Sequence, residues 1–369
     1  MKLRHYTLVL WIALFLVLGE VGLEWRANRR GYSSILFSQP TTEGAATAGE
    51  YGPTEEFPFR SRVVPVAKPA GTTRIWIASA SYAEDKRFPA SEIFPVLLED
   101  ELRARGHDVQ VLNASKDGYS FASAVPMLRE LGPEWRPDVV LLYHLTNDLD
   151  ELAPRFLSVQ GGGAPNARTE HGEASAAGAP ANEVGEGDEE VARTERERPW
   201  PSRLIEATTA YAQAKNQFKA RLVGLRILAD ELPPELVDAL DERVMACADA
   251  ARAIGARTVL CRFACSYPAA LPGRMPADYR NNLYRYNSYL SERAWRSGVA
   301  TFNDRLLEIG AREGLPVLDL SSRVAGRTAL FRDFCHLKEA GHVEVAKQLA
   351  DLLEPVLAER DGGSQGGGE

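Results

Sequence analysis

Hydrophobic and polar positions along the chain follow two different periods, and the two take turns. Arg74-Ile75-Trp76-Ile77-Ala78 is a short apolar run bounded by turn residues, which predicts a strand. Ser91 to Arg105 then places Ile93, Val96, Leu97, Leu98 and Leu102 on one helical face. Asp108 to Asn113 predicts a second strand, Phe121 to Leu131 a second helix, and Asp138 to Tyr143 a third strand. That third run is apolar after its first residue, as a strand covered on both faces should be. After an interruption the alternation resumes. Glu235 to Ile254 predicts a helix, Thr258 to Phe263 a strand, and Tyr279 to Trp295 and Ala300 to Glu313 two helices. Leu315 to Leu320 predicts a fifth strand and Leu337 to Leu357 a closing helix. Such alternation implies an α/β fold, a three-layer α/β/α sandwich around a parallel five-stranded sheet. Right-handed crossovers and short connections favour the flavodoxin-like order 2-1-3-4-5.

Other segments lack either period. Tyr6 to Leu23 is apolar except for Thr7 and Glu20, and Lys2, Arg4 and His5 precede it. About 18 residues is near the lower limit for spanning a bilayer. Glu20, Glu24, Trp25 and Arg26 stand where a cleavage site would need small residues. Residues 1–30 are therefore expected to form an uncleaved signal anchor, with a cleaved signal or a buried core helix as alternatives. Arg26, Arg29 and Arg30 compete with Lys2 and Arg4 under the positive-inside rule. The expectation is a membrane-anchored protein with its large domain extracytoplasmic, periplasmic or at the cell surface. Residues 31–72 read as a connector rich in Pro, Gly, Thr and Glu, a stalk with room to pack partly on the domain. The domain itself is expected over residues 73–357. Within it, residues 160–198 are rich in Gly, Ala and Glu and almost free of large apolar side chains, which predicts a disordered insertion. Ser202 to Leu232 returns to helical composition as a candidate cap, and residues 358–369 read as a flexible tail.

Composition narrows the function. Of 369 residues, 45% are hydrophobic and 25% charged, which excludes a wholly disordered or fibrous chain. A formal net charge of -8 argues against a nucleic-acid binder, which needs a basic face. Among the four cysteines only Cys261 and Cys265 are close in sequence, and no second pair of ligands completes a zinc spacing. Gly161 to Gly163 is no phosphate loop, because no Lys-Ser/Thr follows on a helix. Cys265 and Cys335 are both expected near one sheet edge, either as a disulfide or as two buried free thiols.

In a doubly wound sheet, ligands bind at the carboxyl ends of the strands. Strand one ends in Ser79-Ala80-Ser81, and strand two is followed by Asn113-Ala114-Ser115-Lys116-Asp117-Gly118. Strand three runs into His144-Leu145-Thr146-Asn147-Asp148, and Asp333-Phe334-Cys335-His336 precedes the last helix. A serine, a glycine, an asparagine and an Asp-x-x-His pair on one edge are the parts of a serine hydrolase: nucleophile, oxyanion donors, base and orienting carboxylate. Each taken singly has a plainer role, as a turn, a helix cap or a structural histidine. Together, in this order, they favour the functional reading. His144 could contact substrate or be structural, and His342 is expected to face outward or pack.

These blocks, VVLLYHLTNDL and DFCHLKEAGH above all, resemble the SGNH (GDSL-like) hydrolase superfamily and its membrane-anchored bacterial branch. The resemblance covers Arg74 to Ala153 and Glu235 to Leu357, and implies the SGNH hydrolase fold. Its signature residues fall on Ser81, Gly118, Asn147 and His336, with Asp333 orienting the histidine. The family's Gly-Asp-Ser or Gly-Gly-Ser is Ser79-Ala80-Ser81 here, and the glycine usual two residues before the asparagine is Leu145. The register of the apolar run favours Ser81 over Ser79 as nucleophile. The resemblance implies a serine esterase that removes acyl groups, acetyl above all, from a small molecule or a cell-envelope or secreted polysaccharide. The expected oxyanion donors are the backbone N–H groups of Ser81 and Gly118 and the Asn147 amide. No metal or other cofactor is expected. An O-acyltransferase using the same triad and a catalytically inactive carbohydrate-binding or assembly protein remain the alternatives. Strand five lies about 14 Å from strand one at normal strand spacing, so the chain from Ser321 to Arg332 must reach back across the sheet edge.

Overall fold

The computed structural model describes residues 49–157 and 228–363, and residues 18, 19 and 21 near the N-terminus. The chain divides into two compact units, Thr41–Ala164 with Val223–Glu369, and Met1–Pro40 with Pro165–Leu222. The second unit lies outside the described residues except for those three. The apolar run Tyr6 to Leu23 shares that position, the insertion 160–198 lies wholly outside, and so does nearly all of Ser202 to Leu232. Among the described residues no helix is long and apolar enough to cross a membrane.

The strands are β1 (Thr73–Ala78), β2 (Val109–Asn113), β3 (Val139–Leu142), β4 (Arg257–Cys261) and β5 (Val317–Leu318). They form one parallel sheet in the order β2-β1-β3-β4-β5. All of β3 is buried, as its unbroken apolar run requires. The helices are α1 (Ser81–Glu84), α2 (Phe94–Ala104), α3 (Phe121–Trp135), α4 (Thr146–Phe156), α5 (Pro234–Ala253), α6 (Ala277–Tyr286), α7 (Glu292–Glu313), α8 (Leu320–Val324) and α9 (Glu339–Gly363). Helix α2 packs on β2 and α9, while α3 and α4 pack on α5, which also meets β4 and α7. Right-handed crossovers put these two groups on opposite faces of the sheet, giving the α/β/α layers.

Several boundaries differ from those read off the sequence, and the closing helix α9 runs past Leu357 to Gly363, into the segment expected as a tail. Helix α3 runs on past Leu131 to Trp135 through Gly132 and Pro133. A Cβ at Gly132 would meet the Ile254 side chain at 2.5 Å, so the glycine serves close packing and does not end the helix. The break expected between Trp295 and Ala300 lies earlier, between Tyr286 and Glu292. There Asn287 hydrogen-bonds the backbone of Leu290, and the Ser291 side chain accepts from the Ala294 N–H to start α7. The fifth strand is only Val317–Leu318, because Asp319 caps the short helix α8 directly after it.

The connector packs on the domain over its described part. Phe57 and Phe59 are buried and meet Trp135 edge-on, and Phe59 also meets Trp76. Arg74, fully buried in β1, donates to the carbonyls of Pro65, Val66 and Trp135.

Candidate active site

Parallel pairing brings the carboxyl ends of β2, β1 and β3 together. Ile77 lies opposite Asn113, and Ala78 opposite Leu142. The Ala114 and Tyr143 N–H groups extend these ladders onto the Ile77 and Ala78 carbonyls. The residues that follow, Ser79 to Ser81, Ala114 to Gly118 and His144 to Asn147, therefore emerge side by side on one edge.

Beyond β1 the backbone stays extended at Ala80 and turns into α1 at Ser81. Ser79 is buried and its Oγ donates to the Tyr143 carbonyl at 2.7 Å. Ser81 Oγ lies 2.9 Å from His336 Nε2. His336 Nδ1 lies 2.8 Å from Asp333 Oδ2 and 3.0 Å from Oδ1. The Asp333 Oδ1 atom also accepts the N–H groups of Cys335 and His336, and Oδ2 accepts from Asn282 Nδ2 at 2.8 Å. Burial opposes the charge on Asp333, but His336 and Arg332 outweigh it and hold its pKa down at about 2. An ionised Asp333 must accept, so Nδ1 carries the proton and Nε2 is left to accept from the serine hydroxyl.

The chain from α8 to Arg332 closes the distance from β5 back toward β1 by crossing the end of β4. The Gly326 N–H bonds the Cys265 carbonyl and the Ser266 N–H bonds the Phe334 carbonyl. A bridge between Phe331 and Leu337 pinches the loop so that Asp333 and His336 stand at its tip. Cys265 and Cys335 are free and buried. Burial pushes the Cys265 thiol up to about 12 and raises Cys335 as well. Asp333, Cys335 and His336 could offer a metal ion three donor atoms within 4.8 Å of one another. The carboxylate and Nδ1 of that set are already partnered to each other.

Gly118 sits in an exposed turn at φ +76, a conformation that favours glycine. Asn147 lies in the first turn of α4, and its Nδ2 donates to the Tyr119 carbonyl at 2.7 Å. That ties the glycine turn to the asparagine and leaves the second N–H of the amide for another acceptor. The next residue, Asp148, accepts the Phe121 N–H and caps α3. His144 is buried against the Phe121 ring, and burial pushes its pKa down to about 3. His342 does not face outward. It is fully buried, with Nδ1 accepting the Phe94 N–H and Nε2 at 3.2 Å from Asp85 Oδ2. It packs because α9 lays its first turn against the start of α2.

Four residues of this arrangement escape sequence reasoning: Glu84, Asp85, Asn282 and Arg332. Asn282 stands 51 residues before its partner Asp333, and Arg332 stands 247 after Asp85. Only the acid pair Glu84-Asp85, three residues past Ser81, could have drawn notice.

No family model matches the chain, and no curated protein matches it. Among solved structures it is similar to TesA, at 14% identity and a TM-score of 0.42 over 77% of this chain and 99% of that one. It is also similar to a GDSL-like lipase from Bacteroides thetaiotaomicron, at 11% identity and 0.39 over 78% and 89%. The acetyl xylan esterase AlAXEase matches at 12% identity and 0.40 over 75% and 98%.

Proposed function

We propose that the chain is a serine esterase of the SGNH type that cleaves an acyl ester through Ser81, His336 and Asp333. The observation that carries this reading is the unbroken chain of contacts from Ser81 Oγ to His336 Nε2 at 2.9 Å and from Nδ1 to Asp333 at 2.8 Å. In the first half-reaction Ser81 Oγ attacks the ester carbonyl while His336 Nε2 takes its proton. The tetrahedral oxyanion is held by the Ser81 and Gly118 N–H groups and the spare N–H of Asn147. Collapse breaks the bond to the alcohol, which leaves with the proton from Nε2. Water then repeats the sequence on the acyl-serine and regenerates the hydroxyl. Asp333 stays ionised throughout and holds the imidazole in the productive tautomer.

The substrate proposed is an acyl ester, acetyl above all, on a small molecule or on cell-envelope or secreted polysaccharide. Its proposed setting is extracytoplasmic, with Tyr6 to Leu23 as the membrane anchor. The sequence run and the family's anchored branch support that part.

The test is chemical. A fluorophosphonate probe should label Ser81, as read by peptide mass spectrometry, and the protein should hydrolyse a chromogenic acetyl ester. Ser81→Ala and His336→Ala should each remove nearly all turnover, and the double variant should be little worse than either. Full turnover in folded Ser81→Ala protein would sink the proposal.

A further inference from the structure

Helix α1 has four residues, too few to hold its own orientation. Something outside it must aim Ser81, and the two residues at its end make the connections. The Asp85 N–H closes the turn on the Ser81 carbonyl at 2.9 Å, so its backbone moves with the serine. Its carboxylate is buried and takes both oxygens to Arg332 Nη1, at 2.8 and 3.0 Å. It also meets Nε2 of His342, whose Nδ1 is occupied by the Phe94 N–H, so Nε2 must be the donor. Arg332 immediately precedes Asp333. Its N–H bonds the His336 carbonyl at 3.0 Å, and Nη1 reaches the Leu337 carbonyl at 3.3 Å. One ion pair thus joins the turn that starts at Ser81 to the loop that ends at His336.

Glu84 makes the matching connection on the other side. Its Oε2 accepts the Asp117 N–H at 2.6 Å, and Lys86 Nζ lies 3.2 Å from Oε1. Asp117 directly precedes Gly118, the glycine with the positive φ.

We infer that Glu84 and Asp85 are positioning residues, registering Ser81 against the Gly118 turn and against the Asp333–His336 loop respectively. The inference rests on the hydrolase reading above. Bulk stability is a poor explanation for the arrangement, since a buried ion pair is commonly replaceable by apolar side chains at no cost. Asp85 also sits at φ +22, a backbone angle that few residues other than glycine, asparagine and aspartate adopt. Backbone strain of this kind persists where the surroundings impose a geometry. Burial opposes the Asp85 charge, yet His342 and Arg332 outweigh it and keep the carboxyl below the usual range.

The test compares kcat and KM for a chromogenic acetyl ester, with folding checked by circular dichroism and thermal unfolding. Asp85→Asn keeps the size and tolerates the backbone angle, so it isolates the charge. It should lower kcat by about 10²-fold, as a small misplacement of a reacting group does, with KM nearly unchanged. Arg332→Lys should recover part of what Arg332→Met loses. Glu84→Ala should lower kcat by about tenfold, less than the loss of a whole oxyanion donor, and Glu84→Gln should restore it by accepting the same N–H. Near-wild-type kcat in folded Asp85→Asn and Glu84→Ala, with Ser81→Ala inactive, overturns the inference. So does a change confined to KM. Turnover retained in Ser81→Ala overturns the hydrolase reading instead, and the inference with it. Should Asp85→Asn not fold, the Glu84 pair decides, and equal turnover in Glu84→Ala and Glu84→Gln counts against the inference.

Discussion

Asp333 carries its charge where water cannot solvate it, and hydrogen-bond donors do the work of water. Its pKa is lowered from 3.8 to about 2, so the native state favours the ionised form more than the unfolded chain does. A depressed carboxylate contributes stability that is fully present above its unfolded pKa and is lost as pH falls through the folded value. The window here is roughly pH 4 down to pH 2, and the contribution is on the order of 2 kcal/mol. Asp333→Asn should therefore be less stable than wild type at pH 7 by about that amount, with the gap narrowing toward pH 3 in urea titrations. A gap that stays constant with pH would mean that packing, not charge, is at stake. Ser79 poses the opposite case. Ser79→Ala should cost only about 1 kcal/mol and leave turnover intact, because the Tyr143 carbonyl keeps the Tyr82 hydroxyl at 2.9 Å. Abolished turnover in folded Ser79→Ala would overturn the assignment of Ser81. At this scale the sequence supplies the chemical types: Ser81 and Asn147 are legible as residues following strands, and Asp333 and His336 as an Asp-x-x-His pair before the last helix. It does not supply the supports, because Arg332 and Asn282 meet their partners only through the tertiary fold.

Between elements, one glycine shows how packing reads a motif. Gly341 lies in the first turn of α9, and a Cβ there would meet the Leu330 carbonyl oxygen at 2.3 Å. That carbonyl also accepts the Lys338 N–H, which helps hold the two arms of the Asp333–His336 loop together. A backbone atom cannot step aside as a flexible side chain can. Gly341→Ala should shift the loop, costing about 1–3 kcal/mol of stability by thermal unfolding and lowering kcat, despite alanine's higher helix propensity. Unchanged stability and turnover would mean that the first turn of α9 can move independently of His336. The glycine was visible in the sequence, but its reason was not, since Leu330 approaches from a turn that no periodicity announces. The same limit explains the misplaced break near α7. Gly298 looks like punctuation in Arg296-Ser297-Gly298-Val299, yet it lies inside the helix against Leu232. The true stop uses Asn287 and Ser291, whose side-chain bonds to backbone can be read only once the chain direction is known.

For the molecule as a whole, strand order was legible because alternation and handedness leave few topologies, while the particular contacts of the connector were not. A segment without periodicity reads as a stalk with room to pack partly on the domain, and residues 57–64 bury Phe57, Phe59 and Val64 against it. The connector also reaches the candidate site, because Arg60 donates to the Glu84 carbonyl at 2.7 Å and to the Phe88 carbonyl at 2.6 Å. These carbonyls flank Asp85, so the connector backs the same stretch of chain that aims Ser81. A fully buried phenylalanine contributes roughly 1.5–3 kcal/mol, against a total stability of about 5–15 kcal/mol for a typical domain. Deleting the connector would remove two such side chains and expose Trp76 and Trp135, their ring partners. It would also strip the buried Arg74 guanidinium of two carbonyl acceptors, those of Pro65 and Val66, at a further cost. A chain starting at Gly31 should therefore fold and hydrolyse the acetyl ester. One starting at Thr73 should be unfolded or aggregated, or melt far lower, with little turnover. Thermal unfolding of the two truncations, followed by tryptophan fluorescence, measures the difference directly. Equal melting temperatures would show that the aromatic cluster contributes nothing to the fold, and that residues 49–72 are a stalk after all.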